Sequence, residues 1–467
     1  AYMLQNGYGI EENKEEAVRY YKMSIEKGND SAMNSYALML EKGDGVEMDK
    51  EEATRLYKMS ADKGNVNAMY KLGQKAYNGS GTPVNYGEAQ RYFKMSADKG
   101  NDEAMFYYGQ MLDKGQGILP NKREAARYYK MALDKNNVRA MSGYANLLNR
   151  GEGVNQDKDE AIRLYKLAID KDDDQAMNDY AYMLEKGDGV EEDKNEAIKL
   201  YRMAIERGNP DAMVNFARLL EEGDGIDKDK EGADNYIKMA ADKGNADAML
   251  TYASMLHDAE PSLADKETAA KYFKMSADKG NEIAMLHYAS IVDKGDGVDV
   301  DKEEAVNYYK MAADRGNEIA MYVYATKVGQ GEGVEEPDKE EAVKYYKMSA
   351  DKGNADAMLN YAAMVEQGEG VEEPDKEEAI KYYKMSANKG NAEAMNNYAY
   401  LLQQGDGVEE DKEEALKYYK MSADKGNANA MNNYAYMLQH GDGVEEDKEE
   451  ALKYYKMSAD NDNDAAM

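Results

Sequence analysis

Cysteine and tryptophan are absent from the 467 residues, histidine occurs three times, phenylalanine four and proline six. Without cysteine there is no disulfide framework, thiolate metal site, iron–sulfur cluster or cysteine nucleophile. The same absence, with no signal peptide in view, makes an intracellular setting the expected one. No apolar run approaches the roughly 20 residues that span a bilayer, so no direct membrane contact is expected of this segment. Positive charge is also short: 60 Lys and Arg stand against 92 Asp and Glu, a formal charge of −32. Such a surface repels phosphate backbones and anionic headgroups, which excludes a nucleic-acid binder. What abounds is Tyr (40), Gly (40) and Met (33), within 42% apolar residues. That is enough to build cores, and it separates the chain from acidic disordered segments.

The chain repeats. The dipeptide Ala-Met begins at Ala32, Ala68, Ala104, Ala140, Ala176, Ala212, Ala248, Ala284, Ala320, Ala357, Ala394, Ala430 and Ala466. The step is 36 residues except for two of 37, and those coincide with the added Pro337 and Pro374, so the extra residue belongs in a loop. Each period holds two helical patterns. Helix A places Ala357, Met358, Tyr361, Ala362, Met364 and Val365 on one arc. Helix B places Ala305, Val306, Tyr309, Ala312 and Ala313 on one face, with Tyr308 and Met311 widening it, as suits a helix packed on more than one side.

Capping chemistry marks the boundaries. Helix B is predicted to open at Asn13, Asp49, Asn85, Asn121, Asp157, Asp193, Asp229, Asp265, Asp301, Asp338, Asp375, Asp411 and Asp447. In all but two copies, where Gly232 and Thr268 intervene, a Glu follows three residues later. Helix B closes at Lys-Gly-Asn, where Gly takes the left-handed cap conformation and Asn caps the next helix A. Asn136 and Asp172 replace that Gly in two repeats, with strain expected at Asp172. Gly-x-Gly joins helix A to helix B in twelve of thirteen slots. The other reads HDAEPSLADK from His257, and an altered turn is expected there, in the repeat 248–283.

Helix A, Gly-x-Gly-Val, Asp-Lys-Glu-Glu-Ala-x-x-Tyr-Tyr, an Ala pair and Lys-Gly-Asn together resemble the Sel-one-like repeat, a tetratricopeptide-like helical hairpin. The resemblance covers essentially the whole chain. It implies an all-α, right-handed α/α solenoid of about thirteen helix-turn-helix repeats of 36–37 residues, helix A lining the concave side, and scaffold or adaptor roles without a reaction. One departure is consistent: the family's mid-helix Leu-Gly, kept at Leu72-Gly73, is mostly Tyr-Ala here, and a larger residue is expected to open the packing between helices A. The expected organisation is one continuous array over 1–467, with 37-residue repeats at 320–356 and 357–393. Ala1 aligns with Ala435 and Met467 with Met431, so both ends fall within helix A, and a longer array that associates end to end with itself is one reading.

No chemistry stands out. Acidic Gly-rich loops such as 294–301 miss the EF-hand spacing, and capping accounts for their carboxylates. Gly-x-Gly follows a helix rather than a strand and is flanked by acids, so it is no phosphate cradle. His257, His287 and His440 lie in different repeats without ligand spacing. No catalytic constellation, metal site or cofactor is expected. Tyrosine pairs such as Tyr308-Tyr309 and Tyr382-Tyr383 read as inter-repeat core with the hydroxyl reaching a polar partner. Asn29-Asp30-Ser31 and Asn78-Gly79-Ser80 match glycosylation sequons but overlap a cap and a turn.

The informative surface is the variable face of helix A, expected to form a concave groove for a protein or peptide. Towards the C-terminus it carries Asn396, Asn397, Tyr400, Asn432, Asn433 and Tyr436, able to hydrogen-bond an extended backbone. In the middle it carries Leu250, Ile283, Leu286, His287, Ile319, Tyr322, Val323 and Leu359. That apolar strip is either groove or additional packing. The first reading is a non-catalytic protein-binding scaffold; the rival is a structural spacer or filament component.

Overall fold

The computed structural model describes residues 1–79, 84–258 and 261–461, and among these every regular element is an α-helix. Helices A and B alternate along the chain. In the first of two compact units, residues 1–236, helices A are α1 (Tyr2–Asn6), α3 (Asp30–Lys42), α5 (Val66–Asn78), α7 (Asp102–Lys114), α9 (Val138–Arg150), α11 (Asp174–Lys186) and α13 (Pro210–Glu222). Helices B there are α2 (Lys14–Glu26), α4 (Lys50–Asp62), α6 (Tyr86–Asp98), α8 (Lys122–Leu133), α10 (Lys158–Ile169) and α12 (Lys194–Glu206). The division falls within α14 (Lys230–Asp242). In the second unit, residues 237–467, helices A are α15 (Ala246–Asp258), α17 (Glu282–Lys294), α19 (Glu318–Gln330), α21 (Ala355–Gln367), α23 (Ala392–Gln404) and α25 (Ala428–His440). Their partners are α16 (Leu263–Asp278), α18 (Lys302–Asp314), α20 (Lys339–Lys352), α22 (Lys376–Asn388), α24 (Lys412–Asp424) and α26 (Lys448–Asp460).

The caps form as their residue types dictate. Asp301 accepts the backbone N–H of Glu304 at 2.9 Å, and Asn317 that of Ala320 at 2.9 Å. Pro210 occupies the first turn of α13. Asp265 is a correction: α16 opens three residues earlier, at Leu263, capped by Ser262, and Asp265 serves as the reciprocal partner of a capping box. Ser followed three residues later by Asp is itself a start signal, and it outcompetes the one aligned with the sister repeats. Two residues of that altered segment, 259–260, lie outside the described residues, as do Ser80 of the second sequon and Met467. Asn136 and Asp172 take φ of 62° and 64°, the only non-glycine residues with positive φ among those described.

Three polar contacts recur along the array, the first between the two helices of one repeat and the other two between successive repeats. The Ser ending helix B is fully buried and donates its hydroxyl to a carbonyl in the first turn of the preceding helix A: Ser386 Oγ to Ala355 O, 2.7 Å, and Ser422 Oγ to Ala392 O, 2.6 Å. The first tyrosine of the pair reaches the preceding helix B, as Tyr308 does to Asp278 (2.6 Å), while stacking edge-on against helix A's Tyr288 at 4.8 Å. The Lys opening helix B pairs with the acid in the next repeat's Gly-x-Gly loop, as in Lys194–Asp224 (2.6 Å) and Lys412–Asp442 (2.8 Å). The second Gly of that loop permits the approach: at Gly333, φ is +75° and a Cβ would lie 2.2 Å from the Lys302 carbonyl oxygen.

The Tyr-Ala departure in helix A is also settled by packing. Tyr288, Tyr324, Tyr361 and Tyr398 turn toward helix B, each with the Lys that follows a tyrosine pair, or its equivalent, over the ring at 5.2–5.4 Å. The larger side chain therefore fills the space between A and B rather than prising helices A apart.

Candidate functional site

Counting from the Ala of each Ala-Met, the positions one before and six after lie outside the packed arc, and those two and three after lie at its margin. Burial follows that geometry. Ile283 and Ile319, one before, are 46% and 50% exposed, and Tyr400 and Tyr436, six after, 53% and 50%. His287 is also exposed, its ring stacked on Phe273 at 5.1 Å, and partial burial lowers its pKa. By contrast Leu250, Leu286, Tyr322 and Val323 are half-buried and packed against the core. Leu359, named among the groove residues, is a correction: it takes the packing alternative and is buried among the core residues. The residue two after Ala-Met faces the neighbouring helix A as much as the solvent, so large apolar groups there are drawn into the seam. The strip reduces to two isoleucines and a histidine.

The asparagines are partly self-engaged. Asn433 Nδ2 donates to Asn396 Oδ1 at 3.0 Å, joining α25 to α23, and Asn396 donates onward to Asn397 at 3.2 Å. The same bond occurs in the first unit, where Asn215 Nδ2 reaches Asn178 Oδ1 at 2.9 Å. These amides tie neighbouring helices A together, which leaves fewer of them for a bound backbone than their number suggests. Asn397 and Asn432, like Asn396 and Asn433, are half-buried.

A cavity of about 1020 Å³ lies elsewhere, in the first unit, walled chiefly by α7, α9, α11 and α13. Its floor is Asp179, whose carboxylate accepts from Asn146 Nδ2 (2.7 Å), Gln175 Nε2 (2.9 Å) and Asn178 Nδ2 (3.0 Å). Tyr165 in turn donates to Asn146 Oδ1 at 2.7 Å. Burial pushes the Asp179 pKa up to about 6, against the three amide donors and helped by the nearby Asp211 carboxylate. Sequence reasoning passed over this residue, yet a signal existed: at the position three after Ala-Met, Asp179 is the only carboxylate in the array. Nearby Glu185 is buried and held ionised: burial works against it, but Lys186 and Arg218 bring its pKa down.

Among the described residues, no group of three or more His, Asp or Glu side chains is placed to hold a metal ion. His257 contacts Asp296 at 3.1 Å and shares the Phe273 ring with His287, while His440 Nδ1 donates to the Tyr436 carbonyl at 2.8 Å. No described helix is long and apolar enough to cross a membrane.

Known proteins share this organisation. The family model described as Sel1 repeat matches thirteen times, over residues 1–29, 30–65, 66–101, 102–137, 138–173, 174–209, 210–245, 246–281, 283–317, 319–354, 355–391, 392–427 and 428–463. Among solved structures, a protective antigen of uropathogenic Escherichia coli with an SLR fold is similar at 22% identity and a TM-score of 0.50, over 95% of each chain. A Sel1 repeat protein from Oxalobacter formigenes is 28% identical over 46% of this chain and 87% of its own, with a TM-score of 0.43. No curated protein matches.

Proposed function

Because the chain belongs to the Sel1 repeat family, we propose that it is a non-catalytic scaffold that holds a protein or peptide against the variable face of its helices A. The observation that supports this reading is the cavity of the first unit, a recess walled by four successive helices A whose lining side chains differ from repeat to repeat. Constant positions pack and variable ones face outward, which is the division of labour a recognition surface on a repeat scaffold requires. The test is site-specific photocrosslinking in cells, with the crosslinker replacing Tyr182 or Ile319 on helix A, and Lys381 on the outer face of helix B as the control. Adducts to another protein from the helix A sites alone are the expected outcome. Adducts only between copies of this chain would replace this reading with that of a spacer assembling with itself.

A further inference from the structure

The cavity of the first unit is lined by charges of both signs, some of them without an opposite partner. On its floor, the three groups that bond Asp179 are neutral amides, and Asp211, the charged neighbour that acts on it most, is a second carboxylate. Asp174, in the first turn of α11, lines the same side. No cation therefore balances Asp179, in contrast to Glu185, which has Arg218 at 2.7 Å. Of the cations that line the cavity, Lys122 is paired with Asp113 and Glu152, and Arg139, near Asp173, with Glu103. Lys114 and Arg150 sit in the last turns of α7 and α9, line the cavity, and make no ion pair among the described residues. Helix dipoles favour cations at those ends, but they do not explain an uncompensated carboxylate in the middle of α11.

The spacing between Asp179 and these two cations is set by the helix. Asp179 stands seven residues before the end of α11, about 10 Å of helix rise, and Lys114 and Arg150 occupy the corresponding ends of α7 and α9. An extended chain covers that length in three or four residues at about 3.3 Å each. Two further groups suit such an occupant. Tyr182, one turn beyond Asp179, is 46% exposed, and with Lys186 over its ring at 5.7 Å its remaining surface suits an alkyl stem. Asn149 Oδ1, beside the cavity, is shut off from solvent without a hydrogen-bond partner, and it accepts a backbone N–H from an occupant only once its side chain turns toward the cavity.

We propose that this cavity binds an extended polypeptide segment carrying a Lys or Arg and an Asp or Glu three or four residues apart, the base over Asp179 and the acid between Lys114 and Arg150. The inference rests on the peptide-scaffold reading above and adds the chemistry of the occupant. The experiment is to pan a random dodecapeptide phage library against the full chain and measure the strongest clones by calorimetry. Asp179→Asn and the pair Lys114→Gln with Arg150→Gln are compared, thermal melts confirming that each variant folds. Enriched clones should carry the basic–acidic pair. Asp179→Asn should weaken them tenfold or more, and replacing the peptide's own Lys or Arg by Gln should then cost nothing further. Clones lacking the pair, or binding Asp179→Asn as tightly as the native chain, would overturn the charge assignment while leaving the peptide-scaffold reading in place. No enrichment over bare beads would remove both.

Discussion

At the scale of single residues, two positions place an ordinary side chain where physics disfavours it. Asp172 holds the left-handed conformation that Gly fills in most sister repeats, and its side chain, though paired with Arg207, is 76% exposed, so the pair contributes little. Asp172→Gly should therefore strengthen the junction of α10 and α11 by about 1 kcal/mol, read as slower amide exchange in the last turn of α10. Slowing of exchange confined to distant repeats would contradict it. Asp179 is disfavoured by burial. Its folded pKa of about 6 lies above the unfolded value near 4. The folded state thus binds the proton more readily, and stability rises as pH falls from about 6 to 4. Asp179→Asn should flatten that rise and be more stable than the native chain at pH 7.5, by an amount on the order of 1 kcal/mol, once the Asn146 amide turns to accept. Denaturation series at pH 4.5 and 7.5 measure it, and an unchanged pH dependence would show that Asp179 titrates normally.

At the scale of the element, the glycines divide into those that need only the conformation and those that also need the space. Gly426 has φ +93° with nothing within 4 Å of a built Cβ, whereas at Gly333 a Cβ would strike the Lys302 carbonyl. Gly426→Ala should cost about 1 kcal/mol and Gly333→Ala on the order of 3, because the second must push two repeats apart. Equal losses in chemical denaturation would mean that the loop relaxes freely. Such local requirements were legible in the sequence: period, caps, left-handed residues and loop glycines follow from residue types a few positions apart. What could not be read is which side chains meet when the helices pack. Leu286 and Leu359 stand at the same place in their repeats, yet one is half-buried and the other buried, since the side chains around them decide. Ser386 looks like a polar residue near a helix end until its acceptor, 31 residues away, is seen. Ser262 was missed because alignment with sister repeats favoured Asp265 over the nearer start signal.

At the scale of the molecule, helices make their substantial contacts only within their own repeat or with the next one. Removing residues 413–448, one full period in frame, should leave the helical content per residue unchanged by circular dichroism; loss of most of that signal would mean that the repeats depend on distant ones. These bonds, within a repeat and between repeats, bear on how such an array changes length over time. In repeats of 36 residues the Ser hydroxyl finds its carbonyl 30 positions back, and in the two longer repeats 31 back, with the bond at 2.6–2.7 Å in Ser422, Ser349 and Ser386 alike. The tyrosine bonds shift by the same single residue, from Tyr308–Asp278 to Tyr382–Asp351, both at 2.6 Å. A slip of the copying machinery inside a loop therefore passes without penalty at the joint, and unequal recombination between periods yields a chain whose every new junction is one already in use. Gene duplication and deletion can retune the number of units while selection acts on the variable face alone.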